Sequence, residues 1–395
     1  MARDKIVLAY SGGLDTSVAV PWLKEQYDVD VITLTIDLGM VDLESIRQRA
    51  LQVGAAKALT VDGKDTLINE FVFPALQAGA IYEEQYPLAT ALGRPLIARY
   101  LVEAARAEGA YAVAHGCTGK GNDQVRIDVG VAALAPELKV IAPIRDWGMS
   151  RDEEIEYGQA RNLPINASKS RFSVDENLWG RSAEAGELED PWTEPPEAAY
   201  DWTRPVAETP NTAAYAEIHF EQGLPTAIDG ESMGGPDLVR HLNTLAGSHG
   251  VGRVDHVENR LVGIKSREIY ESPAGVVLHA AHKALETLTL SKDQSRLKSR
   301  VAQEYADMVY NGLWFTHHRL DLDAYIRSTQ RYVNGDVRVR LHKGTCTVVG
   351  RQAPQSLYQY QLATYDRGDQ FDHAAAEGFI SIFGLPVRTQ NQAQP

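Results

Sequence analysis

Two cysteines in 395 residues, Cys117 and Cys346, are too few for a disulfide framework or a multi-cysteine zinc site. A reduced, intracellular setting, hence a cytoplasmic one, is the expectation. Long apolar runs are missing as well. The opening MARDKIVLAYSGG holds only a short apolar stretch before its glycines, too little for a secretory h-region, and nothing later approaches a membrane span. No membrane partner is expected. Positive charge is also scarce: 39 basic against 53 acidic side chains give a formal charge of −14, which argues against a broad nucleic-acid surface. Two common nucleotide signatures are absent, the G-x-x-x-x-G-K-[ST] loop and the dinucleotide G-x-G-x-x-G. The near miss at Gly119-Lys120 has alanine at 114 and glycine at 121. No repeat or low-complexity tract is found.

What is present is ordinary globular material, 44% hydrophobic and 23% charged, at a length that suggests two or three domains. The first part alternates strand-like and helix-like segments. Ile6 to Tyr10 reads as a strand buried on both faces, followed by a helix over 16–26, a strand over 29–36 and a helix over 42–53. Further strands are expected at 55–61, 111–116 and 139–144, with a long helix from Pro95 to Glu108. This predicts an α/β fold, a doubly wound parallel sheet whose ligands lie at strand carboxyl ends. Pro21 predicts a kink or restart in the first helix. Beyond about residue 168 the pattern changes. Residues 186–212 carry five prolines and read as an irregular connection. From Tyr215 short strands mix with helices near 236–248 and 273–290, as in an α+β domain, and the last seven residues read as a frayed polar tail.

Chemistry is most concentrated in Ser11-Gly12-Gly13-Leu14-Asp15-Thr16-Ser17, between the first strand and the first helix. Two glycines let successive N–H groups converge on one anion, the helix N-terminus adds its dipole, and three hydroxyls add donors. A plain N-cap and tight turn is the alternative for the glycines alone. A second loop, His115 to Arg126 (HGCTGKGNDQVR), follows another strand. Its glycines allow close approach, Asp123 can pair an ammonium and Arg126 a carboxylate, which suits a zwitterionic small molecule. His115 reads as structural. His317-His318 and His279/His282 lack ligand company at metal spacing.

The first loop resembles the pyrophosphate-loop ATPases, which cleave ATP between the α and β phosphates. With AHGCTGKGNDQVR, SVDENLWGRS, LEDPW, HGVGRVDHVENRLVGIKSREIYE and AEGFI in the same order, the sequence is similar to the argininosuccinate synthase family from residue 6 to about 380. That resemblance implies a HUP-like ATP domain over 1–168, a synthetase domain over 169–360 and a C-terminal oligomerisation segment over 361–395. It implies a C–N ligase of arginine biosynthesis that joins L-citrulline to L-aspartate through a citrullyl-adenylate, releasing AMP and pyrophosphate.

It also implies site residues. Ala9, Tyr10, Ser11, Gly12, Gly13, Leu14, Asp15, Thr16 and Ser17, with Ile36 and Gly116, match the family's ATP positions; Ser11 and Asp15 are the catalytic candidates among them. Thr118, Asn122 and Asp123 match its aspartate site. Tyr86, Asn122, Arg126, Ser173, Ser182, Glu258 and Tyr270 match its citrulline site. Mg2+ is implied with ATP; its ligands are not, although Asp15 is a candidate. A homotetramer is implied too. Plain readings stand beside these: packed aromatics for Tyr86 and Tyr270, a solvated ion pair for Glu258 and Arg126, turn residues for Ser173 and Ser182. The sequence departs from the family at Met40, where glutamine is usual, and at Ala91, where a serine helps hold citrulline. A tRNA thiolase, sharing the ATP loop, would want paired catalytic cysteines and a basic surface. A non-catalytic ATP-binding module would need no second domain with such polar strings.

Overall fold

The computed structural model describes residues 3–39, 42–164 and 171–395, so Met40 and the expected boundary at 168/169 lie outside the described residues. The first part is built from β1 (Lys5–Ala9), α1 (Leu14–Tyr27), β2 (Asp30–Asp37), α2 (Leu43–Gln52) and β3 (Lys57–Asp62). A continuous helical run follows: α3 (Lys64–Thr66), a wider-wound turn over Leu67–Val72, and α4 (Phe73–Ala78). Then come α5 (Ala89–Glu108), β4 (Ala112–Ala114), α6 (Asn122–Leu134), β5 (Lys139–Ile141), α7 (Pro143–Trp147) and α8 (Arg151–Ala160).

The five strands form one parallel sheet in the order β3-β2-β1-β4-β5. The chain therefore reverses direction across the sheet beside β1, which opens a crevice at the carboxyl ends of β1 and β4. Strand β1 is covered on both sides, as its apolar run requires. Ile6 and Leu8 pack with Ala19, Val20 and Leu23, whereas Val7 packs with Ala98, Leu101 and Val102.

The second part starts with a hairpin, β6 (Ser173–Asn177) and β7 (Gly180–Glu184), and then an irregular stretch with three single 3-10 turns. It continues with β8 (Ala214–Glu221), β9 (Leu224–Ile228), β10 (Glu231–Ser232), α9 (Gly235–Ser248), β11 (Arg253–Asn259) and β12 (Lys265–Glu271). Helices α10 (Pro273–Thr289), α11 (Lys292–Tyr310) and α12 (His317–Gln330) precede β13 (Gly335–His342) and β14 (Thr345–Gln352). Two antiparallel sheets result, β11-β12-β7-β6 and β10-β9-β8-β13-β14. The chain ends in α13 (Tyr360–Ala363), α14 (His373–Phe383) and α15 (Leu385–Ala393).

Helix α5 is shared by both parts. Its later residues Ala98, Leu101 and Ala105 lie under the parallel sheet, while Ala89, Ala91, Leu92 and Leu96 belong to the large core of the second part. Side chains of the β6–β7 turn fasten onto the chain just ahead of it: Asn177 Nδ2 donates to the Ala89 carbonyl and Trp179 Nε1 to the Pro87 carbonyl, each at 2.8 Å. The Leu178 N–H reaches the Leu38 carbonyl at the end of β2, at 2.7 Å.

Three sequence expectations need correction. Helix α1 does not restart at Pro21 but runs unbroken to Tyr27, since proline removes a single donor and the apolar face around Val18, Val20 and Leu23 stays buried. Helix α5 begins at Ala89, a turn and a half before Pro95, because Leu88 at φ 65° sets the turn and the core holds Ala91 and Leu92. The polar tail is helical through Ala393.

Candidate functional site

Two adjoining cavities lie where the parallel sheet meets the β6–β7 hairpin. The larger, about 440 Å³, is bounded by Ala9, Tyr10, Ser11, Thr16, Ile36 and Gly116. Gly12, Gly13, Leu14 and Asp15 complete the turn beside it. At Gly12, φ is +78°, and a Cβ there would come within 3.3 Å of Ile46, so both backbone freedom and space call for glycine. Arg49 Nη1 donates to the Gly12 carbonyl at 2.6 Å and fixes the turn from outside. Gly13 stands at the N-cap of α1 with no side-chain cap, leaving the first-turn N–H groups to an external anion. The Ser11 and Thr16 hydroxyls are 3.2 Å apart. Ser17 instead faces inward, its hydroxyl 2.9 Å from that of Tyr10. Opposite, a Cβ on Gly116 would lie 2.8 Å from Thr16 Cγ2, so the end of β4 presses directly on the loop.

Asp15 is half-buried beside Glu154 of α8, whose carboxyl is pushed up to about 8 by burial first and then by the Asp15 charge. Among the described residues no group of three or more His, Cys, Asp or Glu converges as a metal cage. Two carboxyls suit a magnesium ion that takes its remaining ligands from phosphate and water.

The smaller cavity, about 120 Å³, gathers Tyr86, Thr118, Asn122, Asp123, Arg126, Ser182, Glu258 and Tyr270 from both parts of the chain. Glu258 sits at its floor and accepts from Tyr270 and Tyr310, both at 2.6 Å. Tyr86 stacks on Tyr270 with centroids 4.0 Å apart and shares a 2.8 Å bond with the Thr90 hydroxyl. Burial drives the Tyr86 and Tyr270 phenols upward, so both stay neutral donors. Asn122 spans the two parts: its Nδ2 donates to the Tyr310 hydroxyl at 2.8 Å and its Oδ1 accepts from Leu261 N–H at 2.9 Å.

Asp123 is the electrostatic centre. Its Oδ2 takes Arg94 at 2.7 Å and its Oδ1 takes Arg126 at 2.8 Å. Burial alone would raise its carboxyl, yet the two guanidiniums hold it down to about 2. Arg94 also pairs with Asp175 of β6. Arg260 pairs with Glu184 and, at 2.5 Å, with Glu268, whose carboxyl burial and the nearby Glu184 push upward.

The geometry bears on the plain readings of several residues. Tyr86 and Tyr270 are packed aromatics of the core, and their hydroxyls meet Thr90 and Glu258 on the cavity wall. Arg126 and Glu258 are both 3% exposed and do not pair with each other. Ser173 and Ser182 lie on paired strands, not in turns; Ser182 faces the smaller cavity and Ser173 the larger. Ala91 is fully buried in the apolar core, and its neighbour Thr90 is the residue on the cavity wall. His115, 1% exposed, is tied to Asp128 at 2.7 Å in a structural role. Burial raises the Cys117 thiol to about 12, so it is no ready nucleophile. His279 and His282 are buried in α10, and His318 meets Glu304 at the surface.

Arg94, Asp175, Glu184, Arg260, Glu268 and Tyr310 escaped the sequence reading. Asp175, Arg260 and Glu268 sit inside strings already singled out, SVDENLWGRS and VENRLVGIKSREIYE, and Arg94 lies three residues beyond Ala91. For Tyr310, 52 residues beyond Glu258, no local signal exists.

The fold and site define a HUP-type nucleotide-binding domain whose crevice is closed by an α+β domain. The Arginosuccinate synthase N-terminal HUP domain matches residues 5–164, and the Arginosuccinate synthase C-terminal domain matches residues 172–390. Argininosuccinate synthases from Dehalococcoides mccartyi and Gloeobacter violaceus are 57% and 58% identical, the first over 99% of this chain and 97% of its own length, the second over the whole of both. One from Symbiobacterium thermophilum is 55% identical over 100% of this chain and 99% of its own. The chain belongs to the argininosuccinate synthase family.

Proposed function

We propose that this chain is a C–N ligase of arginine biosynthesis, joining L-citrulline and L-aspartate with ATP to give argininosuccinate, AMP and pyrophosphate. The observation that carries the reading is the shared wall. Thr118, Gly121, Asp123, Asp175 and Glu184 border both cavities, so a phosphate in one and an amino acid in the other meet at one place.

ATP takes the larger cavity, with its pyrophosphate end over Ser11 to Ser17 and the α1 N-terminus. Citrulline takes the smaller, among Tyr86, Asn122, Arg126, Ser182, Glu258 and Tyr270, with Ser173 meeting it from the nucleotide side. Its ureido oxygen attacks the α-phosphate; pyrophosphate leaves into the loop, where N–H groups and the Ser11 and Thr16 hydroxyls stabilise its charge. The aspartate amine, held near Thr118, Asn122 and Asp123, then displaces AMP. No protein nucleophile is needed, and positioning supplies most of the acceleration. Asp15, with Glu154 beside it, would hold a magnesium ion arriving with ATP, which supplies neutralising charge to the phosphates.

The assignment of 1–168 to ATP, 169–360 to the amino acids and 361–395 to assembly follows the same reading. Helix α14 leaves Phe379, Ile380, Ile382 and Phe383 64–73% exposed. Such an apolar strip suits burial against other copies, as in a homotetramer. Among the described residues no helix is long and apolar enough to cross a membrane, and the −14 charge disfavours nucleic acid.

Product analysis tests the activity. AMP and pyrophosphate should accumulate in equal amounts only when citrulline and aspartate are both present; ADP, or turnover without citrulline, would contradict it. Light scattering should give four copies for the full chain and fewer after removal of residues 361–395.

A further inference from the structure

Aspartate reaches the site as an ammonium, and an ammonium has no lone pair with which to attack. Its nitrogen must react where the nucleotide cavity meets the amino-acid cavity, because the adenylate bridges the two. Three carboxylates border both cavities there: Asp123, Asp175 and Glu184. Asp123 has an arginine on each oxygen. Glu184 has Arg260 on its Oε2 and also hydrogen-bonds the Glu268 carboxyl. Asp175 has Arg94 on its Oδ2 and, among the described residues, no second side-chain hydrogen-bond partner. Its side chain is 39% exposed into the site.

We propose that Asp175 is the base that takes the proton from the aspartate ammonium in the second step. The inference rests on the functional reading above. The ammonium gives one proton to the Asp175 carboxylate. The nitrogen lone pair then forms a bond to the ureido carbon of citrullyl-adenylate. The bond from that carbon to the bridging oxygen breaks, and its electron pair leaves with AMP, whose phosphate takes the second proton from the nitrogen. A guanidinium remains on argininosuccinate, and atoms and charges balance.

Every neighbour of Asp175 fits this division of labour. Arg94 on α5 faces it and is shared with Asp123 on α6; Cys117, from the loop before α6, is a neutral thiol. Ser182 on β7 bonds the Asp175 backbone carbonyl at 3.4 Å and leaves the carboxylate alone, while the N–H of Glu176, next on the strand, donates to that carboxylate. Burial and the charge of Asp123 raise the Asp175 carboxyl against the pull of Arg94, whereas Asp123 is held down by two arginines. The first is the better proton acceptor and the second the better fixed anion.

The test separates the two chemical steps in the full-length protein. Citrulline-dependent exchange of labelled pyrophosphate into ATP, without aspartate, reports adenylate formation. Single-turnover mixing of preformed adenylate with aspartate reports the second step. For Asp175→Asn, exchange should stay within about threefold of wild type while the second step falls by on the order of 10²–10⁴. The residual rate should climb about tenfold per pH unit as the substrate amine deprotonates unaided. Asp175→Glu should recover much of the rate and the flatter pH profile. Equal loss of exchange and capture, or a slow second step with no pH recovery, would overturn the inference and leave Asp175 a structural partner of Arg94. A wild-type chain without citrulline-dependent exchange would overturn the functional reading itself, and this inference with it.

Discussion

The phosphate loop and the amino-acid cavity are built on opposite plans. The loop is contiguous: Ser11 to Ser17 is one turn, positioned by two glycines and a helix start, with its donors left for a ligand. The cavity is a network in which nearly every charge already has a partner. Asp123 holds two arginines, Glu258 two tyrosines and Arg260 two carboxylates, drawn from positions as far apart as Arg94 and Tyr310. An open, backbone-lined cradle binds any polyphosphate of the right size. A pre-paired network admits only a molecule whose groups replace the partners it displaces, which makes it selective.

The comparison predicts unequal sensitivity. Breaking the network at its centre should cost most. Asp123→Ala leaves the buried Arg126 guanidinium without a carboxylate and Arg94 with Asp175 alone, a loss of about 3–5 kcal/mol. Steady-state kinetics should show the aspartate KM raised by two to three powers of ten, with the ATP constant far less affected. Against the loop, Gly116→Ala pushes a methyl to within 2.8 Å of Thr16 Cγ2. Overpacking of this kind costs about 1–3 kcal/mol. The ATP KM should rise roughly tenfold while that for aspartate barely moves, the reverse of the first pattern.

Smaller changes refine the picture. Thr90→Val removes the hydroxyl shared with Tyr86, a neutral hydrogen bond contributing about 0.5–1.5 kcal/mol. Citrulline titrations should show a two- to tenfold loss of affinity, with ATP unchanged. Smallest is Pro21→Ala. Since α1 passes through Pro21 without a break, substitution four residues beyond the loop should shift the ATP constant less than about twofold. A larger shift would mean that the proline tunes the loop after all.

The same contrast explains what could be read from sequence. Ser11 to Ser17 was legible because its chemistry is local: strand, glycines and helix start follow one another. The parallel sheet was legible because β1 is apolar on both faces. Arg94 and Asp175 were not, since an arginine in a helix and an aspartate in a strand look like ordinary surface residues until α5 and β6 meet. Tyr310 was hidden further, on a helix whose other face is plain core. Helix α1 was misread at Pro21 because a local rule gave way to burial of its apolar face, and Ala91 drew attention that belongs to Thr90, one residue away on the cavity side.

The central claim is that the two cavities perform one adenylation at their shared wall, and an isotope decides it most directly. Citrulline carrying 18O in its ureido group is turned over with ATP and aspartate, and the products are analysed by mass spectrometry. The account predicts one labelled oxygen in AMP and none in pyrophosphate, because the ureido oxygen attacks the α-phosphate and leaves with it. Label in pyrophosphate or inorganic phosphate, or ADP as the nucleotide product, would contradict it.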